Sequence, residues 1–334
     1  MKRDTVRFSE YMNEWLYGKE GYYASYREIG KKGDFYTAVS TSKFFGGSIA
    51  KHILKRIDEG FLSPDSLICE IGAHHGYLLA DIIEFLYTLR PELLQTLRFG
   101  IIERFDALQE QQRGYFAESF GDAVRLEHYY DVGEIDAGCV FFIANEIFDA
   151  FPCELFYKGK VGRVEEHKVH FDLDDPEIAA LAGKYKQDRG EIAVGYESFA
   201  RSLALSIPKF EFMSFDYGEL EARSDFSIRV YREHQTFPLF DEALNMAEAF
   251  GKSDITYDVN FTHVKEAFEA ENIQCVQYAT QLVALIEMGI LDLMAMLKEH
   301  AGDQIYAQEL EKVKILITPS LMGERFKMIR FVKE

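Results

Sequence analysis

The chain has 334 residues, of which 48% are hydrophobic and 28% charged. That length and balance are typical of a soluble protein with one large domain, or with one core domain that carries an insertion. Lysine and arginine number 37 against 56 acidic residues, so the formal net charge is -19. Because a phosphate backbone would be repelled over most of such a surface, the charge argues against a nucleic-acid partner.

The cysteines and the apolar segments are also typical of a soluble protein. The cysteines are Cys69, Cys139, Cys153 and Cys275. They form no CxxC pair, which favours reduced thiols in a cytoplasmic protein. The opening sequence lacks a long apolar segment, so we expect no signal peptide. The most apolar long window, residues 277–297, contains Glu287 and Asp292 and predicts a buried helix and no stable membrane insertion.

The predicted elements alternate along the chain. Helical patterns cover residues 5–17 and 40–57, joined by a Gly- and Tyr-rich loop. Further helical spacing predicts helices at 76–89 and 106–120. Short apolar runs, suited to strands buried on both faces, lie at residues 67–73, 99–103, 139–146 and 210–218.

This alternation predicts an α/β fold, a doubly wound and mostly parallel sheet built from right-handed crossovers. The stretch between the last two apolar runs is too long for a crossover, and we interpret it as an inserted α+β lobe over residues 153–205. The core would then cover 59–152 and 206–334, with residues 1–58 as an N-terminal helical cover. Residues 324–332 predict an antiparallel edge strand.

Polar groups recur where the predicted strands end. They are Glu70 to Gly72, Glu103, Asn145 with Glu146, and Asp216 to Gly218. In an open α/β sheet, ligands bind beyond the carboxyl ends of the strands. A single acid at such a position usually caps a helix or faces solvent, but the recurrence predicts a binding site.

The first turn, Gly72-Ala73-His74-His75-Gly76, resembles a dinucleotide fingerprint but has His74 at the middle glycine position. A side chain there disfavours close approach of a pyrophosphate. S-adenosylmethionine has no phosphate and needs only room for its amino-acid and ribose parts. We expect Glu70 to favour the ligand's positive charge and Glu103 to accept hydrogen bonds from the ribose hydroxyls.

The adjacent histidines also suggest a metal site. Neighbours in sequence rarely face one ion, and no third ligand stands at a standard spacing, so we predict no metal. We expect His74 to narrow the methionine end of the site or to weaken cofactor affinity.

The run Ala144 to Pro152, ANEIFDAFP, places two carboxylates after a strand. Methyl transfer from a sulfonium is an in-line displacement in which an enzyme supplies position and electrostatics. Glu146 and Asp149 are spaced to orient a guanidinium acceptor and to favour loss of its proton. The alternative is that Asp149 caps a short helix.

At these residues the sequence resembles the MidA-like (DUF185) family of S-adenosylmethionine-dependent methyltransferases, which includes a mitochondrial complex I assembly factor that methylates arginine. The segments that carry the resemblance, nearly end to end, are RFSEYMNEWLYGKEGYY, GDFYTAVSTSKFFGGSIA, EIGAHHGYLLADII, ANEIFDAFP, FDYG, RVYREH, DITYDVNF and MGERFKMI. The resemblance implies a class I methyltransferase fold with an inserted lobe and S-adenosyl-L-methionine as cofactor.

Carried over by position, the resemblance implies that Gly72, Ala73, His74 and Gly76 form the cofactor turn. It further implies that Glu103 is the ribose acid and that Asn145, Glu146 and Asp149 form the acceptor-side loop. The segment GDFYTAVS should cover the pocket, with Gly33 in its turn and with Tyr36 and Thr37 shielding the sulfonium. The alternative is that Phe35 and Tyr36 pack the N-terminal helices onto the sheet.

Two departures from the family pattern are His74 and the run Ala38-Val39-Ser40, which replaces Ser-Pro-Glu.

We expect a cytoplasmic enzyme that methylates arginine in a protein substrate, for which a respiratory-complex subunit is one candidate, and we leave open a homodimer. Two alternatives remain. One is a methyltransferase for a small molecule or another side chain, and the other is a binding or assembly factor that has kept the fold and lost catalysis.

Overall fold

The computed structural model describes residues 5–24, 37–232 and 235–334. The strands in chain order are β1 (Val6–Arg7), β2 (Leu67–Ile71), β3 (Arg98–Ile102), β4 (Leu126–Tyr129), β5 (Val140–Asn145), β6 (Cys153–Tyr157), β7 (Lys160–Glu165), β8 (Lys168–Leu173), β9 (Arg189–Ala193), β10 (Phe210–Glu219), β11 (Arg229–Arg232), β12 (Gln235–Pro238), β13 (Asp254–Thr256), β14 (Val259–Asn260), β15 (Gln274–Thr280) and β16 (Phe326–Lys333). The helices are α1 (Phe8–Tyr17), α2 (Ala38–Thr41), α3 (Phe44–Asp58), α4 (Tyr77–Leu89), α5 (Asp106–Phe120), α6 (Pro176–Lys184), α7 (Tyr196–Ser206), α8 (Met246–Ala249), α9 (Phe261–Ala270), α10 (Gln281–Glu287), α11 (Ile290–His300) and α12 (Gly302–Ile317).

The main sheet has the strand order β15-β16-β10-β5-β2-β3-β4. The pairs from β10 to β4 are parallel, whereas β15 and β16 pair antiparallel at one edge. Strands such as β5 are apolar up to their last residue because both faces of the sheet are covered. The predicted α/β fold, mostly parallel with an antiparallel edge, is confirmed.

The predicted elements agree with the structure at most positions, and the differences have local causes. Strand β4 was not predicted, because its sequence LEHY is short and polar. Residues 277–297 do not form one buried helix. Thr280 ends β15 and caps α10, accepting a hydrogen bond from Val283 N, and Gly289, with φ 83°, separates α10 from α11. No helix in the described ranges is long and apolar enough to cross a membrane.

The chain forms two compact units. The first contains the described residues of 1–35 with 146–199 and 217–270, and the second contains those of 36–145 with 200–216 and 271–334. This division differs from the predicted domain limits at residues 217–270 and at α3. Residues 217–270 group with the insertion because β13 and its neighbours bond to the opening helix, as where Trp15 Nε1 donates to Ser253 O at 2.7 Å. Helix α3 belongs to the main sheet's unit because it packs on α4.

The first unit holds two smaller sheets. One has the order β1-β7-β6-β9, with β8 paired to β7, and the other has the order β12-β11-β13. Their strands pair antiparallel. Strand β9, between α6 and α7, was not predicted within the insertion. At its N-terminus, α1 begins only at Phe8, because Val6 and Arg7 pair with β7.

A buried ion cluster lies in the second unit, where β10 meets α3 and β16. Glu211 is fully buried. It accepts hydrogen bonds from His52 Nε2 at 2.5 Å, Arg56 Nε at 2.6 Å and Arg330 Nη1 at 3.1 Å. Burial opposes ionisation of Glu211, but the hydrogen bond from His52 and the charges of Arg330 and Arg56 outweigh it, so the pKa of Glu211 lies below its ordinary value. The cluster therefore contains a buried carboxylate that forms ion pairs with two arginines.

We expect Glu211→Gln to lower the free energy of unfolding by about 3–5 kcal/mol, because the change removes the buried carboxylate that Arg330 and Arg56 share, although Arg56 keeps its ion pair with Glu59. Urea denaturation at neutral pH measures this. Glu311→Gln is the control, since Glu311 is 72% exposed and its loss should cost less than about 0.5 kcal/mol. Equal stability of the two variants would contradict the role of Glu211 as the central carboxylate of the buried ion cluster.

Candidate active site

The parallel register of the main sheet brings the predicted cofactor residues to one edge. Ile71 lies opposite Ile102 and Ala144 in the neighbouring strands. Asn145 lies opposite Phe215. Gly72 and Glu103, which follow β2 and β3, and Asn145, which ends β5, are therefore at the shared carboxyl edge of the sheet, where ligands bind in open α/β folds.

The turn between β2 and α4 depends on its two glycines. Gly72 and Gly76 have φ values of 72° and 80°. A Cβ atom at Gly76 would stand 2.9 Å from Phe116 Cε2, and Gly76 N donates to the carbonyl of Ala73 at 2.8 Å. Side chains at these positions would strain the turn, and at Gly76 a side chain would also collide with Phe116.

His74 stands in the middle of this turn with φ 47°, a left-handed conformation that is uncommon for histidine. Burial and the neighbouring His75 lower the pKa of His74 to about 3, so its ring is neutral. Its Nδ1 atom is buried and has no hydrogen-bond partner among the described residues. A polar atom in this situation fits the wall of a ligand site.

Glu70 has a structural contact that the sequence did not predict. It is 4% exposed, and its Oε2 accepts a hydrogen bond from Leu79 N, in the first turn of α4, at 3.0 Å. Burial outweighs this bond and raises the pKa of Glu70 to about 8. Glu70 thus supplies the cap that Gly76, at the start of α4, lacks. Its contact with a cofactor stays a prediction.

Glu103 directly follows β3 and is held in place. It is 7% exposed, and its Oε1 accepts a hydrogen bond from Phe105 N at 3.0 Å. Burial raises its pKa, although the Phe105 bond opposes the rise. A fixed acceptor at this edge fits the two ribose hydroxyls of a nucleoside.

Two residues that the sequence analysis missed, Gln109 and Gln112, hold the backbone of predicted site residues. Gln109 Nε2 donates to Glu103 O at 2.7 Å. Gln112 is fully buried. It donates to His74 O at 2.7 Å and lies 2.9 Å from His128 Nε2. The available signal was two glutamines, three residues apart, on the apolar face of α5.

The structure describes only some of the remaining predicted site residues. Asn145 ends β5 at the shared edge. Thr37 caps α2, accepting a hydrogen bond from Ser40 N at 3.1 Å, and Ser40 Oγ accepts one from Thr37 N at 3.0 Å. Thr37 and Ser40 thus form a capping box at the start of α2. Gly33 and Tyr36 lie outside the described residues, so the predicted lid stays a prediction.

In the first unit, the chain after β5 contains the predicted acceptor residues. Glu146 has φ 54°. Asp149 is 3% exposed and lies within a single 3₁₀ turn, Phe148–Ala150, whose N-cap is Ile147. Asp149 therefore does not cap a helix, and that interpretation is wrong.

A tyrosine holds Asp149. The Tyr217 hydroxyl donates to Asp149 Oδ2 and lies 2.5 Å from Thr256 Oγ1. Burial raises the pKa of Asp149 to about 6, although the Tyr217 bond and the charge of Arg229 oppose the rise. The carboxylate is thus ionised at neutral pH and is able to accept a proton slightly below it.

Arg229 and Asp258 complete this cluster. Arg229 Nη2 is 2.8 Å from Asp258 Oδ1, and its guanidinium carbon is 4.8 Å from the centre of the Tyr217 ring. Arg229, Thr256 and Asp258 belong to the RVYREH and DITYDVNF segments. The sequence analysis used these segments only for the resemblance and gave them no role.

The described residues include no group of three or more His, Cys, Asp or Glu side chains that could hold a metal ion. A parallel α/β sheet with a glycine turn after β2 and an acid after β3 is typical of a protein that binds a nucleoside cofactor. A family model described as "Putative S-adenosyl-L-methionine-dependent methyltransferase" matches residues 49–279. The match covers more than half of the chain, and the chain belongs to this family.

Curated proteins that are similar to this chain are also methyltransferases. The chain is similar to the protein arginine methyltransferase NDUFAF7, mitochondrial, of Xenopus tropicalis, with 26% identity over 98% of this chain and 83% of the relative. The human protein of the same name is 24% identical over 96% of this chain and 78% of its own. A crystal structure from Burkholderia thailandensis, bound to S-adenosyl-homocysteine, has the same fold, with a TM-score of 0.82, 23% identity, and coverage of 98% of this chain and 88% of that one.

The chain is therefore an S-adenosylmethionine-dependent methyltransferase, as the sequence predicted. The residues at the edge fit that cofactor. Gly72 and Gly76 allow the tight turn after β2, Glu103 offers a fixed carboxylate for the ribose, and the buried Nδ1 of His74 is a polar atom that a ligand would satisfy.

We expect Glu103→Ala to weaken S-adenosylmethionine binding by roughly 1–3 kcal/mol, the loss typical of hydrogen bonds to a charged group. Isothermal titration calorimetry measures the affinity. Glu110→Ala is the control, because Glu110 is an exposed residue of the same region. Unchanged affinity in Glu103→Ala would remove Glu103 from the site.

We expect His74→Gly to bind S-adenosylmethionine as tightly as the unchanged protein or more tightly, because glycine adopts φ 47° without strain and opens the turn. The same calorimetry, with circular dichroism as a check of folding, tests this. A large loss of affinity in a folded variant would show that His74 Nδ1 itself contacts the cofactor.

Proposed function

We propose that the chain transfers a methyl group from S-adenosylmethionine to an arginine side chain of a protein substrate. The single observation that carries the proposal is the buried carboxylate of Asp149, held by the Tyr217 hydroxyl in the acceptor-side segment. The names of the curated relatives support it, since those proteins are called protein arginine methyltransferases.

The carboxylates are needed because a guanidinium is a weak methyl acceptor. It is cationic and poorly nucleophilic, so a carboxylate must localise its positive charge on a nitrogen that does not react. Glu146 and Asp149 are the carboxylates available for this. A planar guanidinium makes two-point contacts with carboxylates, whereas an ammonium is a point charge. A paired acidic site therefore favours arginine over lysine as the acceptor.

When bound, S-adenosylmethionine supplies the methyl group at its sulfonium. The acceptor nitrogen must lose a proton as its new N–C bond forms. Asp149 is suited to take that proton, because its pKa of about 6 leaves it ionised at neutral pH. The Tyr217 hydroxyl stabilises the ionised form and fixes the position of Oδ2. Glu146, held at φ 54°, orients the cation.

We expect Glu146→Gln to abolish most methyl transfer while sparing cofactor binding, because the amide keeps the shape but removes the charge that the cation needs. The assay is transfer of labelled methyl groups into the lysate of a strain that lacks this protein. Glu177→Gln, an exposed position, is the control. Retention of more than about a tenth of the wild-type rate, a loss below roughly 1.4 kcal/mol, would count against the arginine mechanism.

The rate should also depend on pH through Asp149. Transfer should fall as pH drops through about 6, where Asp149 gains a proton and ceases to be a base. Tyr217→Phe removes a bond that lowers the pKa of Asp149, so the acid limb of the kcat profile should move to higher pH. An identical acid limb in an active Tyr217→Phe variant would exclude Asp149 as the titrating base.

The predicted substrate class, a respiratory-complex subunit, stays one candidate, and a homodimer stays a prediction. The cytoplasmic location also stays a prediction, and the relatives named above are described as mitochondrial.

A further inference from the structure

Gln112, on α5, is a buried amide with hydrogen-bond partners on two other elements of the second unit. It is 0% exposed. Its Nε2 donates to His74 O, in the turn after β2, at 2.7 Å. Its Oε1 lies 2.9 Å from His128 Nε2, on β4. A buried amide costs free energy unless it is hydrogen-bonded, so these contacts give Gln112 a fixed place between β4 and the cofactor turn.

The partners of Gln112 decide which way its amide faces. A backbone carbonyl only accepts hydrogen bonds, so the atom beside His74 O must be the amide nitrogen. The amide oxygen then faces His128, whose Nε2 must carry a hydrogen. Burial, followed by the charge of Arg113, lowers the pKa of His128 to about 4. The ring is therefore neutral at neutral pH, with its hydrogen on Nε2.

His128 accepts a disadvantage in order to make this contact. With the hydrogen on Nε2, its Nδ1 is an acceptor, and that atom is buried without a hydrogen-bond partner within residues 5–24, 37–232 and 235–334. Buried polar atoms without partners are rare and unfavourable. The hydrogen bond to Gln112 is thus what the His128 side chain contributes as a polar group in these ranges.

The cofactor turn needs a restraint at the position that Gln112 holds. His74 has φ 47°, and a residue other than glycine keeps such a conformation only where its surroundings fix it. The hydrogen bond from Gln112 to the His74 carbonyl is such a restraint. It fixes the peptide group at the middle of the turn.

The same amide lies close to the predicted ribose carboxylate. Burial raises the pKa of Glu103, and the Phe105 amide and then the Gln112 side chain oppose the rise. An amide nitrogen carries two hydrogens, so Gln112 is able to hold His74 O with one and to favour the ionised Glu103 with the other. Gln109, by contrast, holds the backbone carbonyl of Glu103. Gln112 therefore connects the turn to the carboxylate itself.

We propose that Gln112 is a positioning residue for the cofactor. Its single amide holds the turn at His74 and the carboxylate of Glu103 in fixed positions relative to each other. His128 fixes the direction of that amide, so that its N–H groups and not its oxygen face the cofactor residues. The proposal rests on Glu103 as the ribose carboxylate, and it does not depend on the identity of the methyl acceptor.

Calorimetric titration of the full chain with S-adenosylhomocysteine and with its 2′-deoxy analogue tests the proposal. Gln112→Met keeps a side chain of similar length but removes the amide. We expect it to weaken binding of S-adenosylhomocysteine roughly tenfold or more. It should also reduce the preference for the ligand with the 2′-hydroxyl, because Glu103 is no longer held for the ribose. A side chain that only fills space would leave the affinity unchanged or weaken both ligands equally.

Gln111→Met is the matched control. Gln111 is the exposed neighbour of Gln112 on the same helix, so this variant should keep both the affinity and the preference. Wild-type affinity in Gln112→Met, or an equal loss for the two ligands, would overturn the proposal. Equal binding of the two ligands by the unchanged protein would overturn it as well, because Glu103 would then not recognise the ribose.

His128→Phe tests the other end of the amide, and it decides the question if Gln112→Met does not fold. Phenylalanine keeps a ring but lacks the Nε2–H, so we expect several-fold weaker binding and a smaller preference for the 2′-hydroxyl. Because His128 acts through Gln112, combining the two changes should weaken binding no further than Gln112→Met alone. Additive losses, or wild-type affinity and preference in His128→Phe, would refute the proposal. Circular dichroism confirms that each variant is folded.

Discussion

Parallel pairing of β2 with β3 and β5 is the constraint on which the cofactor edge depends. Parallel strands end together, so their register alone collects Gly72, Glu103 and Asn145 at one edge. Their interior residues are then covered by helices on both faces and must be apolar. Side chains with chemistry to perform are left to the strand ends and to the turns that follow them, which is where the polar residues of this chain lie.

Three buried carboxyl groups show how surroundings decide what a carboxylate does. Glu70 has one backbone donor, and burial raises its pKa to about 8. Asp149 has a tyrosine donor and the nearby charge of Arg229, and its pKa is about 6. Glu211, with His52 and two arginines, has a pKa below its ordinary value despite burial. The first therefore suits helix capping, the second proton transfer, and the third a permanent ion cluster.

Much of this arrangement could be predicted from the sequence. The apolar runs located β2, β3, β5 and β10, and the polar residues after them predicted a cofactor site at the carboxyl edge of the sheet. What could not be predicted depends on contacts between distant residues. The cap that Glu70 provides, the support that Gln112 gives to His74, and the hydrogen bond from Tyr217 to Asp149 all require the folded chain.

Local breaks were also hard to predict, because they depend on single residues within apolar patterns. The window that includes α10 has apolar residues throughout, yet Thr280 and Gly289 divide it into a strand and two helices. A short polar strand such as β4 carries too little periodicity to be found, and pairing with β3 is what makes it a strand.

The central claim is that the methyl group is transferred to arginine. Incubating the protein with labelled S-adenosylmethionine and the lysate of a strain that lacks it, followed by mass spectrometry of the labelled peptides, tests this claim most directly. The account predicts methyl groups on an arginine of a protein. Label found only on lysine, on another side chain or in the small-molecule fraction would contradict it.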